Sequence, residues 1–254
     1  MKRLIYISII ICLVLSCQKE NDAINTCPSF FNTTGLNLYT FSPFTEKEWK
    51  TIPHAEKIEL RQVPTAFLEK MSNRELLMQF VTMDMANDIL LYNAHQAGMI
   101  ASIERFNILH ELYSRANIYR FFMESIYSIN FSEIKSNECH CYFFYLQLLS
   151  VQHQVITKIP DADLKNYVDM LYFIFEETAR LSYIDAPNWG ATSSYTASIL
   201  GFGIIMTDCN YLPFIELLES NPDVSKFMQG SEPLSERVLN LINEHMLIFY
   251  DQLN

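Results

Sequence analysis

From Thr45 to the end of the chain, apolar side chains return every three or four residues, the step of a helix with one buried face. Two stretches carry the pattern most cleanly. In 162–183, Leu164, Val168, Leu171, Phe175 and Thr178 fall on one side, with Lys165, Asp169, Glu176 and Arg180 on the other. Glu176 and Arg180 are also one turn apart, where opposite charges on a helix meet. In 235–253, Val238, Ile242, His245, Phe249 and Leu253 share a face, and Leu239 and Met246 widen it enough for two neighbours. Segment 193–207 differs. Ala197 to Met206 is apolar nearly all round, with Ala197, Gly201 and Gly203 as points of close contact, which predicts a buried central helix.

Helix starts are marked by side chains that can satisfy free backbone N–H groups. Thr45-x-x-Glu48 and Ser72-x-x-Glu75 read as capping boxes, and Asn93-x-x-Gln96 as a looser version. Pro64 suits the first turn of a short helix ending near Met71, where a missing N–H costs nothing. Further helices are predicted over 72–91, 94–114, 117–129, 137–157, 162–183, 193–207, 211–219, 222–229 and 235–253. No run of β-branched residues alternates with period two, and glycine occurs six times in all, so essentially no sheet is expected. The expected fold class is all-α, an irregular array or bundle of about ten short helices forming one domain over 45–254.

The chain begins differently. Lys2 and Arg3 precede Leu4–Leu15, a 12-residue apolar run broken only by Ser8. That length fits the ~7–15 residues of a secretory signal and falls short of the ~20 that span a bilayer. Val14-Leu15-Ser16-Cys17 then resembles a lipobox, which implies cleavage after residue 16 and lipid on Cys17. A membrane, reached through acyl chains, is the partner so implied. Residues 17–44, rich in Asn and Thr, are expected to form a flexible tether. Phe30, Phe31, Leu38, Tyr39 and Phe41 make its later part apolar enough to lie against the domain. Gln18 to Asp22 resembles the acidic export signal of Bacteroidetes lipoproteins and implies exposure on the outer face of the outer membrane. The alternative is an anchor facing the periplasm.

Charge narrows the list of partners. Without residues 1–16, 16 basic residues face 29 acidic ones, a formal charge of −13. Nucleic acid demands a basic surface and is excluded on that ground. Half the chain is hydrophobic and 13% is aromatic, enough for a sizeable core. Cys27, Cys139, Cys141 and Cys209 remain after the anchor cysteine; disulfides and buried free thiols are both open to them.

Few residues invite chemistry. Cys139-His140-Cys141 lacks the second ligand pair of a zinc site, and no metal or cofactor is expected. No HExxH, G-x-S-x-G or glycine-rich phosphate loop occurs. Asp84 and Asp88 stand one turn apart, as exposed acids on acidic helices often do. Asn107, predicted mid-helix, calls for a polar partner. Asp88, Tyr92, His95 and Asn107 make up the candidate binding patch, with a structural hydrogen-bond network as the plainer reading. Trp189, in the loop 185–190, is a candidate glycan contact or a buried loop anchor.

The stretch from Val63 to Arg115 resembles a family of uncharacterised lipoproteins of gut Bacteroidetes. Val63-Pro64, Leu68, Met71-Ser72, Leu76, Asp88, Asn93, Gln96, Gly98, Phe106-Asn107, Glu111-Leu112 and Arg115 carry the resemblance. Phe80, Met83 and Asp84 stand where such proteins show Cys-x-x-Tyr-Pro. The resemblance implies a helical surface lipoprotein and no particular activity. The expected function is therefore a displayed binding or interaction module for a protein, peptide or glycan. A hydrolase or carbohydrate-active enzyme is the alternative.

Cys17→Ala should abolish metabolic fatty-acid labelling and release the folded domain from membranes; equal labelling of variant and wild type would refute lipidation at this residue.

Overall fold

The computed structural model describes residues 27–134, 137–184 and 191–253, all of them in helices and connecting segments, with no strand. Cys17 and Trp189 lie outside the described residues. Among the described residues fourteen α-helices and three short 3-10 segments follow one another, so the array is all-α and more finely divided than the sequence pattern suggests.

The first part is a string of short pieces. Here α1 (Glu46–Thr51), α2 (His54–Glu59) and α3 (Thr65–Leu68) lead into α4 (Asn73–Val81). Thr45 and Ser72 form the two expected capping boxes, each side chain accepting from the N–H of the glutamate three residues on. The expected helix 72–91 stops at Val81. Thr82 turns its hydroxyl back to the Met78 carbonyl, and Asp84 and Asn87 are drawn to distant partners. A 3-10 segment, Ala86–Leu91, completes the stretch.

The expected helix 94–114 is likewise two, α5 (His95–Arg105) and α6 (Asn107–Ser114), with Phe106 extended between them. Asn107 causes the break. Its side-chain amide donates to the Val63 carbonyl (2.7 Å) and accepts from the Val63 N–H (3.1 Å). Its own N–H donates to the Gln62 amide, which in turn bonds the Arg105 and Ile58 carbonyls. One continuous helix would leave this buried backbone unpaired, and each such loss costs about 1–3 kcal/mol.

The second part holds the longer helices: α7 (Ile118–Tyr127), α8 (Asn137–Ser150), the single turn α9 (His153–Ile156) and α10 (Asp161–Ile184). After them come α11 (Ala191–Asp208), α12 (Leu212–Ser220), α13 (Pro222–Met228) and α14 (Glu236–Gln252). As expected, α11 is the central helix. It packs on α10 and α14 most extensively and also meets α8, α9, α12 and α13. Gly201 lies against Val151 and Leu171, and Gly203 against Met228 and Phe214. No single helix among the described residues is long and apolar enough to cross a membrane.

The segment expected as a tether is packed on the domain from Cys27 onward. A disulfide joins Cys27 to Cys139 at the start of α8. Phe31 is fully buried, and Arg74 donates to the carbonyls of Ser29, Phe30 and Asn32. Farther along, Glu75 accepts from the Asn37 N–H and Gln79 from that of Tyr39.

Two glycines separate backbone from side-chain crowding. A Cβ at Gly98 would sit 2.5 Å from the Ile89 carbonyl oxygen, whereas one at Gly203 would meet the flexible end of Met228. Gly98→Ala should therefore destabilise by about 1–3 kcal/mol as α5 is pushed off the 3-10 segment. Gly203→Ala should cost less, because the thioether can move and alanine is the better helix former. Urea midpoints of the two variants test the ranking.

Candidate functional site

The four residues of the candidate patch have separate settings, and no hydrogen bond or ion pair joins any two of them. Asn107 belongs to the structural lock on Val63. Tyr92 closes the 3-10 segment as its last cap, with its N–H on the Ile89 carbonyl.

Asp88 faces α2 and α5. His54 lies 3.9 Å from its carboxylate. Burial pushes its acidity down and its pKa up, against the pull of His54, Arg105 and Lys57 and with the push of Asp84. Nearby, Tyr145 donates to the Asn87 side chain at 2.8 Å. Burial, and then the charge of Asp88, raises the pKa of that phenol. Asp84 is no free acid: both oxygens take bonds of 2.8 Å from the buried Arg61. That guanidinium also stacks 4.2 Å from the Trp49 ring centre, with Phe41 at 5.1 Å. This cluster fastens α1 and α2 to the domain.

His95 is different, because the start of α5 is left open. Asn93 does not cap it. The N-cap is Ala94, which has no side chain to accept a bond, and Gln96 points inward instead of back. There it forms a reciprocal amide pair with Gln152, at 3.1 Å in both directions, and Gln152 also donates to the Leu148 carbonyl. The amide pair satisfies two buried side chains at the expense of the helix start. The N–H groups of His95, Gln96 and Ala97 consequently have no protein acceptor.

A recess of about 50 Å³ opens at this point. Asn93, Ala94, His95 and Gln96 form one side; Thr196 of α11, Phe227 of α13 and the loop residues Glu232, Pro233 and Leu234 form the other. The space exceeds the ~10–15 Å³ a water needs but is far below the ~300 Å³ of a site for a whole drug-sized molecule. It has room for one functional group of a larger ligand. Gly230, at φ 73°, lies against Ala97 and Gln96: a Cβ there would lie 3.1 Å from the Ala97 nitrogen. The loop thus closes over Ala97, whereas His95 and Gln96 line the recess.

The His95 ring meets Phe144 edge-on, with centroids 4.9 Å apart, and makes no hydrogen bond. Surrounding protein disfavours its charged form and holds its pKa at about 4, below the usual 6.5. It is a neutral imidazole across the physiological range, with one N–H to give and one nitrogen to accept.

Of the expected patch, only His95 belongs to this recess. Thr196, Phe227, Glu232 and Leu234 had no signal in the sequence, since they reach the site by packing of remote helices. The failed capping box at Asn93 was the available clue: an inward-turned Gln96 implies an uncapped start.

Between pH 6.5 and 4 the folded chain holds fewer protons at His95 than the unfolded chain does. Its neutral form therefore contributes fully above pH 6.5, and that contribution is lost as pH falls toward 4. His95→Phe should lose less stability than wild type between pH 7 and about 4.5, as read from urea midpoints. Equal losses would show that the imidazole titrates normally.

No family model matches the chain, and no curated protein or solved structure matches it either.

Proposed function

We propose that this chain is an extracytoplasmic, lipid-anchored binding module that takes one group of its ligand into the recess at the start of α5. The observation that carries the reading is the set of uncommitted donors gathered there: two helix-start amides and a neutral imidazole beside a small apolar-walled space. Donors left without a protein acceptor around a space of this size are available to an external one. Exposure at the recess is uneven. Glu232 and Pro233 are open to solvent, while Phe227 and Leu234 are buried, so a ligand would insert its tip and lie across the rim.

The proposed address rests on different features. The run Leu4–Leu15 followed by Cys17 has the form of a lipoprotein signal. The Cys27–Cys139 disulfide suits an oxidising compartment such as the periplasm or the cell surface. Display on the outer face of the outer membrane, which the segment Gln18 to Asp22 supports, would place the recess within reach of extracellular proteins, peptides or glycans.

Small fragments, neutral and charged, titrated into the purified full chain should perturb the amide resonances of Asn93–Gln96, Thr196 and Phe227–Leu234. Asn93→Trp, an exposed change that covers the mouth, should abolish those shifts. If no fragment of any class perturbs these residues, the recess is not a binding site.

A further inference from the structure

We propose that residues 42–60, which carry α1 and α2, form a lid that lifts from the domain as one unit, with the Trp49 ring on the Arg61 guanidinium as its latch. Both ends of the segment are fixed. On one side the Tyr39 N–H donates to the Gln79 side chain, and the Tyr39 ring meets Phe67 edge-on with centroids 5.4 Å apart. On the other, Arg61 is buried and donates to both oxygens of Asp84. Beside it Gln62 donates to the Arg105 carbonyl, and the Val63 N–H donates to Asn107. The stretch between these posts is held differently.

No described side chain from Ser42 to Leu60 is buried. Helix length does not explain this, since α3 and α9, of four residues each, bury Leu68 and both Val155 and Ile156. The hydrogen bonds that shape the segment run within it. They include the Thr45–Glu48 capping box, the Lys57 N–H to the Pro53 carbonyl and the Leu60 N–H to the Glu56 carbonyl. Such bonds travel with the lid and are kept when it lifts. Toward the domain it offers half-buried side chains such as Trp49 and Ile58, and an ion pair of His54 with Asp88 at 3.9 Å. With His54 exposed and at that distance, the pair adds little. The Trp49 ring, 4.2 Å from the guanidinium and flanked by Phe44 at 5.8 Å, is the main hold, because Arg61 is already desolvated and fixed by Asp84. Few buried contacts and local hydrogen bonding mark a segment that opens without global unfolding. Opening brings the half-buried Asp88 carboxylate, which His54 now faces, into water and within reach of a partner.

Hydrogen exchange of the purified full-length protein, read amide by amide, tests the lid independently of the recess. The Trp49, Lys57 and Leu60 N–H groups should share one opening constant, about a hundredfold or more above those of Phe80 in α4 and Ile205 in α11. Trp49→Ala should raise the shared constant by about tenfold and leave Phe80 and Ile205 unchanged. Trp49→Phe, which keeps a ring on Arg61, should raise it less. Lid amides that open only together with Phe80 and Ile205 would overturn the proposal. Exchange at the rate of an unstructured chain would overturn it as well, since no closed state would then exist. Different constants for α1 and α2 would show two independent helices instead of one unit. An unchanged constant in Trp49→Ala would rule out the latch.

Discussion

An apolar helix with no face to give to water is the constraint on which the rest of this fold depends. Between Ala197 and Met206, α11 buries Ile199, Leu200, Phe202, Ile205 and Met206 in different directions. One partner helix could cover only one side. The chain meets the demand with α10 and α14 as long neighbours and with shorter pieces of α8, α9, α12 and α13 around them. Gly201 and Gly203 let two of these approaches come close enough to exclude water and voids. The many short helices of the array follow from wrapping a cylinder rather than stacking a layer.

A second demand, hydrogen bonding of buried polar groups, decides where the wrapping helices break. Asn107 opens the chain at Phe106 to reach Val63. Gln152, beyond the end of α8, reaches both Leu148 and Gln96. Asn87 and Asp84, past the end of α4, serve Tyr145 and Arg61. Each break gives up some regular helix and gains a satisfied long-range pair. In the case of Gln96 the pair also leaves three backbone donors free at the start of α5.

This division explains what could be read from residue order. Thr45, Ser72, the face of Leu164 to Thr178 and the all-round apolar run of α11 are signals between residues a few positions apart, and they were legible. The breaks were not, because the partners of Asn107, Gln96 and Asn87 lie 44 to 58 positions away. Periodicity across Phe106 is genuine, since Ile108, Leu109 and Leu112 are all buried; a preserved pattern hid the change in backbone. At the recess His95 alone has a binding signal in the sequence, and Asn93 and Gln96 carry only that of a helix start. Glu232 and Thr196 share no local pattern with it, and the decisive groups are backbone amides, which no residue type announces.

The disulfide between Cys27 and Cys139 has a mechanical meaning. It ties Cys27 to α8 across a sequence separation of 112. Tension applied at Cys27 therefore passes by a covalent route directly into a helix that packs on α11. The residues enclosed by the bridge, α1 through α7 among them, are bypassed by that load. The start of α5 sits within this enclosed loop, so a pull between Cys27 and the C-terminal helices bypasses the backbone of the recess.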